Sequence, residues 1–298
     1  MATAKVTSPL AWVGGKHAAA ARILAAFPPP DMYESYVEVF GGAAHVLCRK
    51  PPGKQLEVYN DRNGDLVRFW MAARDQPEAL QARVDSLPYS RTLFYQYRQR
   101  FKQKELLDDL ERAACWFYLL RSVYGSYPDS SKGWGYAITN NGKSNAHALR
   151  SVTAVFPQVA QRFRYVQIEC LDFAQLMTTY ETPRTLFYVD PPYIGTEDCY
   201  DTEDVPFFTH DDHARLAAAL NATPALAALS YYEHPLLDDL YPASRWQRMT
   251  WTQPKAIEKT KQGSPRKLGR EVLLMNYPET FGGLLWHHSA THQISEVE

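Results

Sequence analysis

The chain has 298 residues, long enough for one large domain or for a core domain that carries a smaller one. Hydrophobic residues make up 45% and charged residues 22%, which predicts a packed globule and excludes a disordered chain. The formal net charge of −1 does not indicate a nucleic-acid partner, so any basic surface that binds nucleic acid must be local.

Cysteine spacing and hydrophobic runs set two further expectations. Cys48, Cys115, Cys170 and Cys199 lack the paired spacing of a zinc site or a disulfide framework, so no metal is expected. The sequence shows neither the apolar core of a signal peptide nor a membrane-spanning run, which predicts a cytoplasmic protein outside the membrane.

The first predicted elements are arranged around two glycine turns. Residues 9–16, Pro-Leu-Ala-Trp-Val-Gly-Gly-Lys, precede a helical run over residues 17–26. A strand over residues 36–40 runs into Gly41-Gly42-Ala43-Ala44, and a helix follows to Lys50. Small residues between a strand and a helix let backbone N–H groups approach a nucleotide. Because such turns are also common without a ligand, this loop alone leaves both interpretations open.

A second strand, residues 55–59, ends in Asn60-Asp61-Arg62-Asn63. An acid about twenty residues after a glycine loop is typical of a carboxylate that accepts from ribose hydroxyls. Alternatively, Asp61 caps the helix that begins near Gly64, and the two roles are compatible.

Helical periodicity then dominates to about residue 164, through residues 66–74, 77–86, 92–104 and 106–124. The loop over residues 125–145 is too long for a simple connector. Basic and aromatic side chains alternate around it, which suits phosphate contact and base stacking. The alternative is that the aromatic side chains only fix the loop to its helices. The side chains concerned are Arg121, Tyr124, Tyr127, Lys132, Trp134, Tyr136 and Lys143.

The α/β alternation resumes after the helical part. Thr209 is expected to cap a helix through Leu220 with Asp212 as its partner. His210 and His213 beside this cap are interpreted as exposed side chains and not as metal ligands. Five further strands are predicted, over residues 165–169, 185–189, 225–230, 246–251 and 271–276.

The strand over residues 185–189 ends at Asp190-Pro191-Pro192-Tyr193. Proline lacks a ladder donor, so Asp190 must lie at the carboxyl end of the strand, where open α/β sheets bind ligands. A carboxylate and the Pro191 carbonyl can accept both N–H groups of a nucleobase amine, and Tyr193 can stack on a base that has left the duplex. The alternative is a strand end with a proline turn and a surface tyrosine.

The segment from Lys255 to Arg270 has a local basic excess on a near-neutral protein. This predicts either contact with the DNA backbone or an ordinary solvated loop. Its basic residues are Lys255, Lys259, Lys261, Arg266, Lys267 and Arg270, against the acidic Glu258.

In their order and spacing these pieces resemble the Dam-like (D12 class, alpha-type) DNA adenine-N6 methyltransferases. The matching motifs are Trp12-Val13-Gly14-Gly15-Lys16, Val37-Glu38-Val39-Phe40-Gly41-Gly42-Ala43, Asn60-Asp61-Arg62-Asn63-Gly64-Asp65-Leu66, Leu171-Asp172-Phe173, Asp190-Pro191-Pro192-Tyr193 and Gly269-Arg270-Glu271-Val272-Leu273-Leu274.

The resemblance implies an α/β class I methyltransferase fold that uses S-adenosylmethionine, with a seven-stranded, mostly parallel sheet and helices on both faces. It implies a catalytic domain in two parts, 1–65 and 161–277, around an inserted, mainly helical target-recognition domain over 66–160, with a tail over 278–298. The implied substrate is an adenine flipped out of double-stranded DNA. The sequence itself indicates no obligatory protein partner.

The resemblance also implies roles for individual residues. Asp190, Pro191, Pro192 and Tyr193 would hold the target amine, and the basic and aromatic residues named above would contact DNA. The residues that would border or bind the cofactor are Trp12, Gly14, Gly15, Lys16, Glu38, Phe40, Gly41, Asp61, Asp172 and Phe173.

Two positions depart from the family pattern. Val39 stands where the family usually has proline, and Ala44-His45 where it has a second glycine or a similar small pattern. Ala44 is small enough to be harmless, whereas His45 is expected to crowd the cofactor's methionine end.

The implied reaction is in-line attack of the amine on the sulfonium methyl group, without a covalent enzyme intermediate or a metal. Cytosine-N4 methylation is the nearest alternative. RNA methyltransferases and protein-glutamine methyltransferases usually have Asn before Pro-Pro-Tyr, where this chain has Asp190. A module that only binds DNA or cofactor is disfavoured by the intact Asp190 and Tyr193.

Overall fold

The computed structural model describes residues 6–103, 105, 107–123, 133–136, 144–197, 207–254 and 268–278. Its sheet is formed by β1 Ser35–Glu38, β2 Leu56–Asn60, β3 Val166–Glu169, β4 Thr185–Val189, β5 Leu226–Tyr232, β6 Gln247–Pro254 and β7 Leu268–Met275. Its helices are α1 Ala20–Ala25, α2 His45–Arg49, α3 Gly64–Asp75, α4 Pro77–Asp85, α5 Arg91–Lys102, α6 Asp109–Ser122, α7 Asn145–Thr153, α8 Phe156–Phe163, α9 Phe173–Tyr180, α10 His210–Ala222 and α11 Leu236–Leu240, with a 3-10 turn at Pro30–Met32.

The strands form one sheet in the order β3-β2-β1-β4-β5-β7-β6. Within the described chain β7 is antiparallel to β5 and β6, and the pairs among β1 to β5 are parallel. From β1 the strand order continues to β2 in one direction, and from β4 it continues to β5 in the other. A crevice therefore opens between the carboxyl ends of the neighbouring strands β1 and β4. The predicted class I methyltransferase sheet is confirmed, including the presence of all seven strands.

The two faces of the sheet bury different residues. On β1, Tyr36 packs into one hydrophobic cluster and Val37 into the other, as expected when successive side chains alternate between faces. The Tyr36 face carries the helices from α1 to α8, and the Val37 face carries α9 and α10. Both faces are therefore covered, as a largely parallel sheet requires.

The first and last helices of the predicted insertion belong to the packing of the sheet. Trp70 on α3 stacks on Phe163 on α8 with ring centroids 4.6 Å apart, and Tyr59 of β2 packs against both rings. Buried Arg162 on α8 donates to both oxygens of Glu57 on β2. Residues of α4 to α7 belong to the same hydrophobic cluster as these two helices.

Two local expectations about helix starts were wrong, and one was confirmed. Asn63, not Asp61, caps α3, because its Oδ1 accepts from the N–H groups of Asp65 and Leu66. The capping box of Thr209 and Asp212 is present on α10. His213 on the same helix is buried, 1% exposed, and is not the surface side chain that the cap pattern suggested.

In the described ranges no helix combines the length and apolar character needed to cross a bilayer.

Candidate active site

A cleft opens where β1, β2 and β4 end. Most of the predicted cofactor residues line it: Trp12, Gly14, Gly15, Lys16, Glu38, Phe40, Gly41, Asp61 and Phe173. Asp190 and Pro192 also reach it, whereas Asp172, Pro191 and Tyr193 are not among its lining residues.

The glycine loop lies against the end of β2. Gly42 has a φ of +48°, and its N–H donates to Asp61 Oδ2 at 2.9 Å. Asp61 Oδ1 accepts from the N–H of Asn63, also at 2.9 Å. A Cβ on Gly41 would overlap the buried ring of Tyr59. The loop therefore keeps a bare backbone toward the cleft, with Asp61 fixed beside it.

Three aromatic rings form one wall of the cleft. Phe40 lies 5.8 Å from Phe173 and 5.7 Å from Phe208 between ring centroids. Arg215 lies over the outer side of Phe173 at 4.9 Å. This apolar wall suits the flat face of an adenine ring.

Asp172 lies next to the cleft and is not among the residues that line it. Its Oδ1 caps α9 by accepting from the N–H of Ala174, and its carboxylate pairs with Arg62 and Arg215 at 3.7 and 3.3 Å. These contacts fix the start of α9, where Phe173 follows.

Asn60 holds two of these loops together. Its buried amide donates to the carbonyls of Val39 and Leu171, and its Oδ1 accepts from the N–H of Leu171 at 2.8 Å. Because the loop partners are distant in sequence, the motif that contains Asn60 gave no sign of this role.

Asp190 and Lys16 form the other end of the cleft. Lys16 Nζ lies 2.8 Å from Asp190 Oδ1 in an ion pair, and it donates to the Gly14 carbonyl at 2.8 Å. Burial raises the pKa of the Asp190 carboxyl, and the Lys16 ammonium partly offsets this. Burial lowers the pKa of Lys16, but the charges of Asp190 and Glu271 outweigh it, so the ammonium stays protonated.

Tyr193 is buried behind this pair. Its ring is 4% exposed, carries the Lys16 ammonium 4.8 Å from its centroid, and packs against Tyr231 and Tyr232. Its hydroxyl donates to Glu271 Oε2 at 3.1 Å. Stacking of a base on this ring therefore requires Lys16 to leave it.

The chain matches the family model of the D12 class N6 adenine-specific DNA methyltransferases over residues 12–253. The chain belongs to this family. It is accordingly an adenine-specific DNA methyltransferase that takes its methyl group from S-adenosylmethionine and acts on a flipped-out base. The family excludes cytosine as the expected base. No curated protein matches the chain.

Glu271 is the main residue of this methyltransferase's site that the sequence did not assign. It is 2% exposed on β7, and its second oxygen, Oε1, accepts from the amide of Gln253 on β6. Burial raises the pKa of Glu271, with the Lys16 charge acting in the opposite direction. Only the pairing of antiparallel β7 with β5 and β6 brings this carboxylate to the site, and local sequence carries no signal of that pairing.

Two titratable groups lie in the middle of the cleft. Burial raises the pKa of Glu38 to about 8, and its Oε1 accepts from the hydroxyl of Tyr36 at 2.6 Å. Burial lowers the pKa of His45 to about 4, so its ring is neutral. A Cβ on Gly15 would contact the His45 ring, which places His45 beside the first glycine turn.

Ala44 departs from the family pattern at a cost that its size does not reveal. Its φ is +52°, in the left-handed region, where a Cβ is disfavoured. The expectation that Ala44 would be harmless rested on the size of its side chain in the cleft and not on its backbone conformation.

Some of the predicted DNA-contact residues lie within the described ranges, and others lie outside them. Tyr124, Tyr127, Lys132, Lys143, Lys259, Lys261 and Lys267 lie outside them. Trp134 pairs with Val123 in an antiparallel bridge and stacks on Tyr136, while the Arg91 guanidinium lies 5.1 and 5.4 Å from these two rings. Arg121 lies in the last turn of α6 and is half-buried.

Proposed function

We propose that the two ends of the cleft divide the reaction between them, with the cofactor at the Asp61 end and the target amine at the Asp190 end. The supporting observation is the position of Asp190: a half-buried carboxylate after β4, in the same cleft as the glycine loop and the aromatic wall. Its Oδ1 faces the Lys16 ammonium at 2.8 Å and can accept an N–H of the amine once that cation moves away.

The residues of the other end fit S-adenosylmethionine. The bare backbone of Gly41 and Gly42 admits close approach, and Asp61 retains lone pairs for ribose hydroxyls. Phe40, Phe173 and Phe208 offer their rings to the adenine. The bound cofactor supplies a methyl group on a sulfonium, an electrophile that needs no activation by the protein.

Asp190 would act on the nucleophile. By accepting an N–H it favours a pyramidal nitrogen with a localised lone pair, and it stabilises the positive charge that grows there as the methyl group arrives. It would not deprotonate the neutral amine beforehand, because an aromatic amine is far too weak an acid for a carboxylate base.

The substrate would be double-stranded DNA, with the word read by the insertion. Arg91, Trp134 and Tyr136 present a stacked cationic and aromatic surface, the chemistry that holds bases and phosphates. The stretch from Arg121 to His147, which includes Trp134 and Tyr136, is the proposed reader, and the segment from Lys255 to Arg270 is a proposed phosphate contact. We also place the enzyme in the cytoplasm.

The test is transfer of tritiated methyl groups to mixed, unmethylated DNA, followed by nucleoside analysis and sequencing of modified positions. N6-methyladenine in one defined word of duplex DNA is expected, and Asp190→Ala is the matched inactive control. N4-methylcytosine, label that persists in the Asp190→Ala sample, or transfer to single strands alone would each overturn the assignment.

The insertion and the basic segment have separate readouts in the same assay. Arg91→Ala should change the methylated word or weaken its discrimination by about 1–3 kcal/mol. Neutralising Lys259, Lys261 and Lys267 should instead weaken binding to all sequences alike and flatten its salt dependence by about one unit of log–log slope per lost phosphate contact. An unchanged word after replacement of the whole 121–147 stretch, with activity retained, would place recognition elsewhere.

A further inference from the structure

Lys16 occupies the place that the target base needs. Its ammonium lies 2.8 Å from Asp190 Oδ1 and 4.8 Å from the centroid of the Tyr193 ring. These are the carboxylate that would accept from the amine and the ring that would stack on the base. A target amine that donates to Asp190 and a base that stacks on Tyr193 must therefore both compete with the Lys16 side chain.

A displaced ammonium needs another anion, because the surroundings are buried. Lys16 is 6% exposed, and moving an unpaired charge within such a site costs several kcal/mol. Glu271 is the second carboxylate whose charge acts on Lys16, and it is 2% exposed. Its Oε2 already binds the hydroxyl at the far end of the Tyr193 ring. Lys16 can therefore remain paired at the rim of the same ring when it leaves Asp190.

We propose that capture of the flipped base is an exchange, in which Lys16 passes from Asp190 to Glu271 as the target amine takes its place. The inference rests on the proposed role of Asp190. Glu271 acts in it as a positioning residue that frees Asp190 from its cation.

The exchange also sets the charge that meets the reacting nitrogen. While Lys16 is paired with Asp190, the carboxylate is largely neutralised and cannot stabilise positive charge on a substrate amine. Once Lys16 is paired with Glu271, Asp190 presents a full negative charge to the nitrogen. Lysine suits this task because its ammonium moves on a flexible four-carbon stem.

The experiment is a double-mutant cycle on base capture. The full-length enzyme binds a duplex that keeps adenine at the methylated position of the word found by sequencing and carries 2-aminopurine as the neighbouring base. The fluorescence of the 2-aminopurine reports the loss of stacking when the target adenine leaves the duplex. The variants are Lys16→Met, Glu271→Gln and the pair combined, measured at pH 8.5 to keep the carboxyls ionised. Arg184→Met is the matched control, since it removes an exposed ion pair with Glu34 at the opposite end of β4.

Glu271→Gln should weaken capture by at least about tenfold in the wild-type background, because Lys16 loses its second anion. The same change should have little effect in the Lys16→Met background, where no ammonium needs a place. Lys16→Met alone should strengthen capture, and Arg184→Met should change nothing. A Glu271→Gln effect of equal size in both backgrounds would overturn the exchange.

Two further measurements separate this idea from general damage and from the proposed function. Glu271→Asp keeps the charge and should recover capture in part. If this variant has the wild-type melting temperature but does not recover capture, the role of the charge is contradicted. Wild-type enzyme that labels no DNA would refute the function itself. Wild-type activity with an additive cycle would refute the exchange alone.

Discussion

Two carboxylates stand at the same edge of the sheet, and they are held in different ways. Asp61 accepts on both oxygens from backbone N–H groups, those of Gly42 and Asn63. Asp190 instead faces a side-chain ammonium, that of Lys16. Backbone donors cannot leave without moving the loop, whereas a lysine can swing away. The cofactor end of the cleft is thus fixed by main chain, and the target end is held by an exchangeable charge.

The strongest test of this comparison is to remove the target-end carboxylate. Asp190→Ala should abolish methyl transfer, and Asp190→Asn should lower the rate by about 10²–10³, or roughly 2.7–4 kcal/mol, by analogy with oxyanion donors. Cofactor affinity should persist in both, because Asp61 and the aromatic wall are untouched. Single-turnover methylation and cofactor calorimetry give the two readouts. A near-wild-type rate for Asp190→Ala would contradict the division of the cleft.

The pH profile should also distinguish the two ends. Transfer requires ionised Asp190, whose pKa is raised by burial, so kcat/KM should fall as the pH drops through that value. The charged groups that act on it are Lys16 and Glu271. Burial raises the pKa of the neighbouring Tyr188 hydroxyl well above its usual value, so that group stays neutral. Lys16→Met removes the cation that lowers this pKa.

The acid limb of Lys16→Met should therefore move to higher pH, by about 1–3 units if the pair behaves like other close opposite charges. The pH dependence of cofactor affinity should stay in place, because the partners of Asp61 are backbone groups. The check is a profile of kcat/KM beside one of cofactor Kd. An acid limb that does not move would show that Lys16 has little effect on the pKa of Asp190.

At the cofactor end, the corresponding change is Gly41→Ala. The new Cβ would overlap the ring of Tyr59, which is fully buried and bonded to the Gly42 carbonyl, so the loop must move. A loss of about 1–3 kcal/mol is expected in stability or cofactor affinity. Calorimetry and thermal melting measure it. Gly64→Ala is the control, because nothing lies within 4 Å of a Cβ there and alanine favours the helix. Equal losses at both glycines would refute the steric argument.

The sequence predicts the residues of this site that follow directly from strands and turns. Asp190 and Asp61 end apolar runs, and the glycine loop follows β1, so local pattern places all three at one edge of the sheet. Glu271, Asn60 and Phe208 depend on pairing and packing between distant segments, and no local period marks them. His213 shows the same limit: its cap pattern suggested exposure, but its ring bonds the Tyr231 hydroxyl and the Glu197 carboxylate in the core.

The smallest expected effect tests whether the fixed backbone of the cofactor end carries strain. Ala44 holds a φ of +52°, which costs a residue with a Cβ about 1–2 kcal/mol relative to the right-handed region. Glycine avoids that cost but loses about 0.4–1 kcal/mol through the greater freedom of its unfolded chain. The change also removes a buried methyl group, which costs about 0.8 kcal/mol at Ala44 and at the equally buried Ala43. Ala44→Gly should therefore be more stable than Ala43→Gly by about 1–2 kcal/mol, the strain that it relieves.

The neighbouring Ala43 supplies the matched control, since among the described non-glycine residues only Ala44 has a positive φ. Ala43→Gly adds freedom to the unfolded chain and removes a buried methyl group without relieving strain, so it should lower the free energy of unfolding by about 1–2 kcal/mol. Urea unfolding of the two variants at one pH compares the two losses directly. Equal destabilisation by both would mean that the left-handed turn at Ala44 stores no strain. A smaller loss at Ala44 would show that the cofactor end keeps its geometry at a cost in stability.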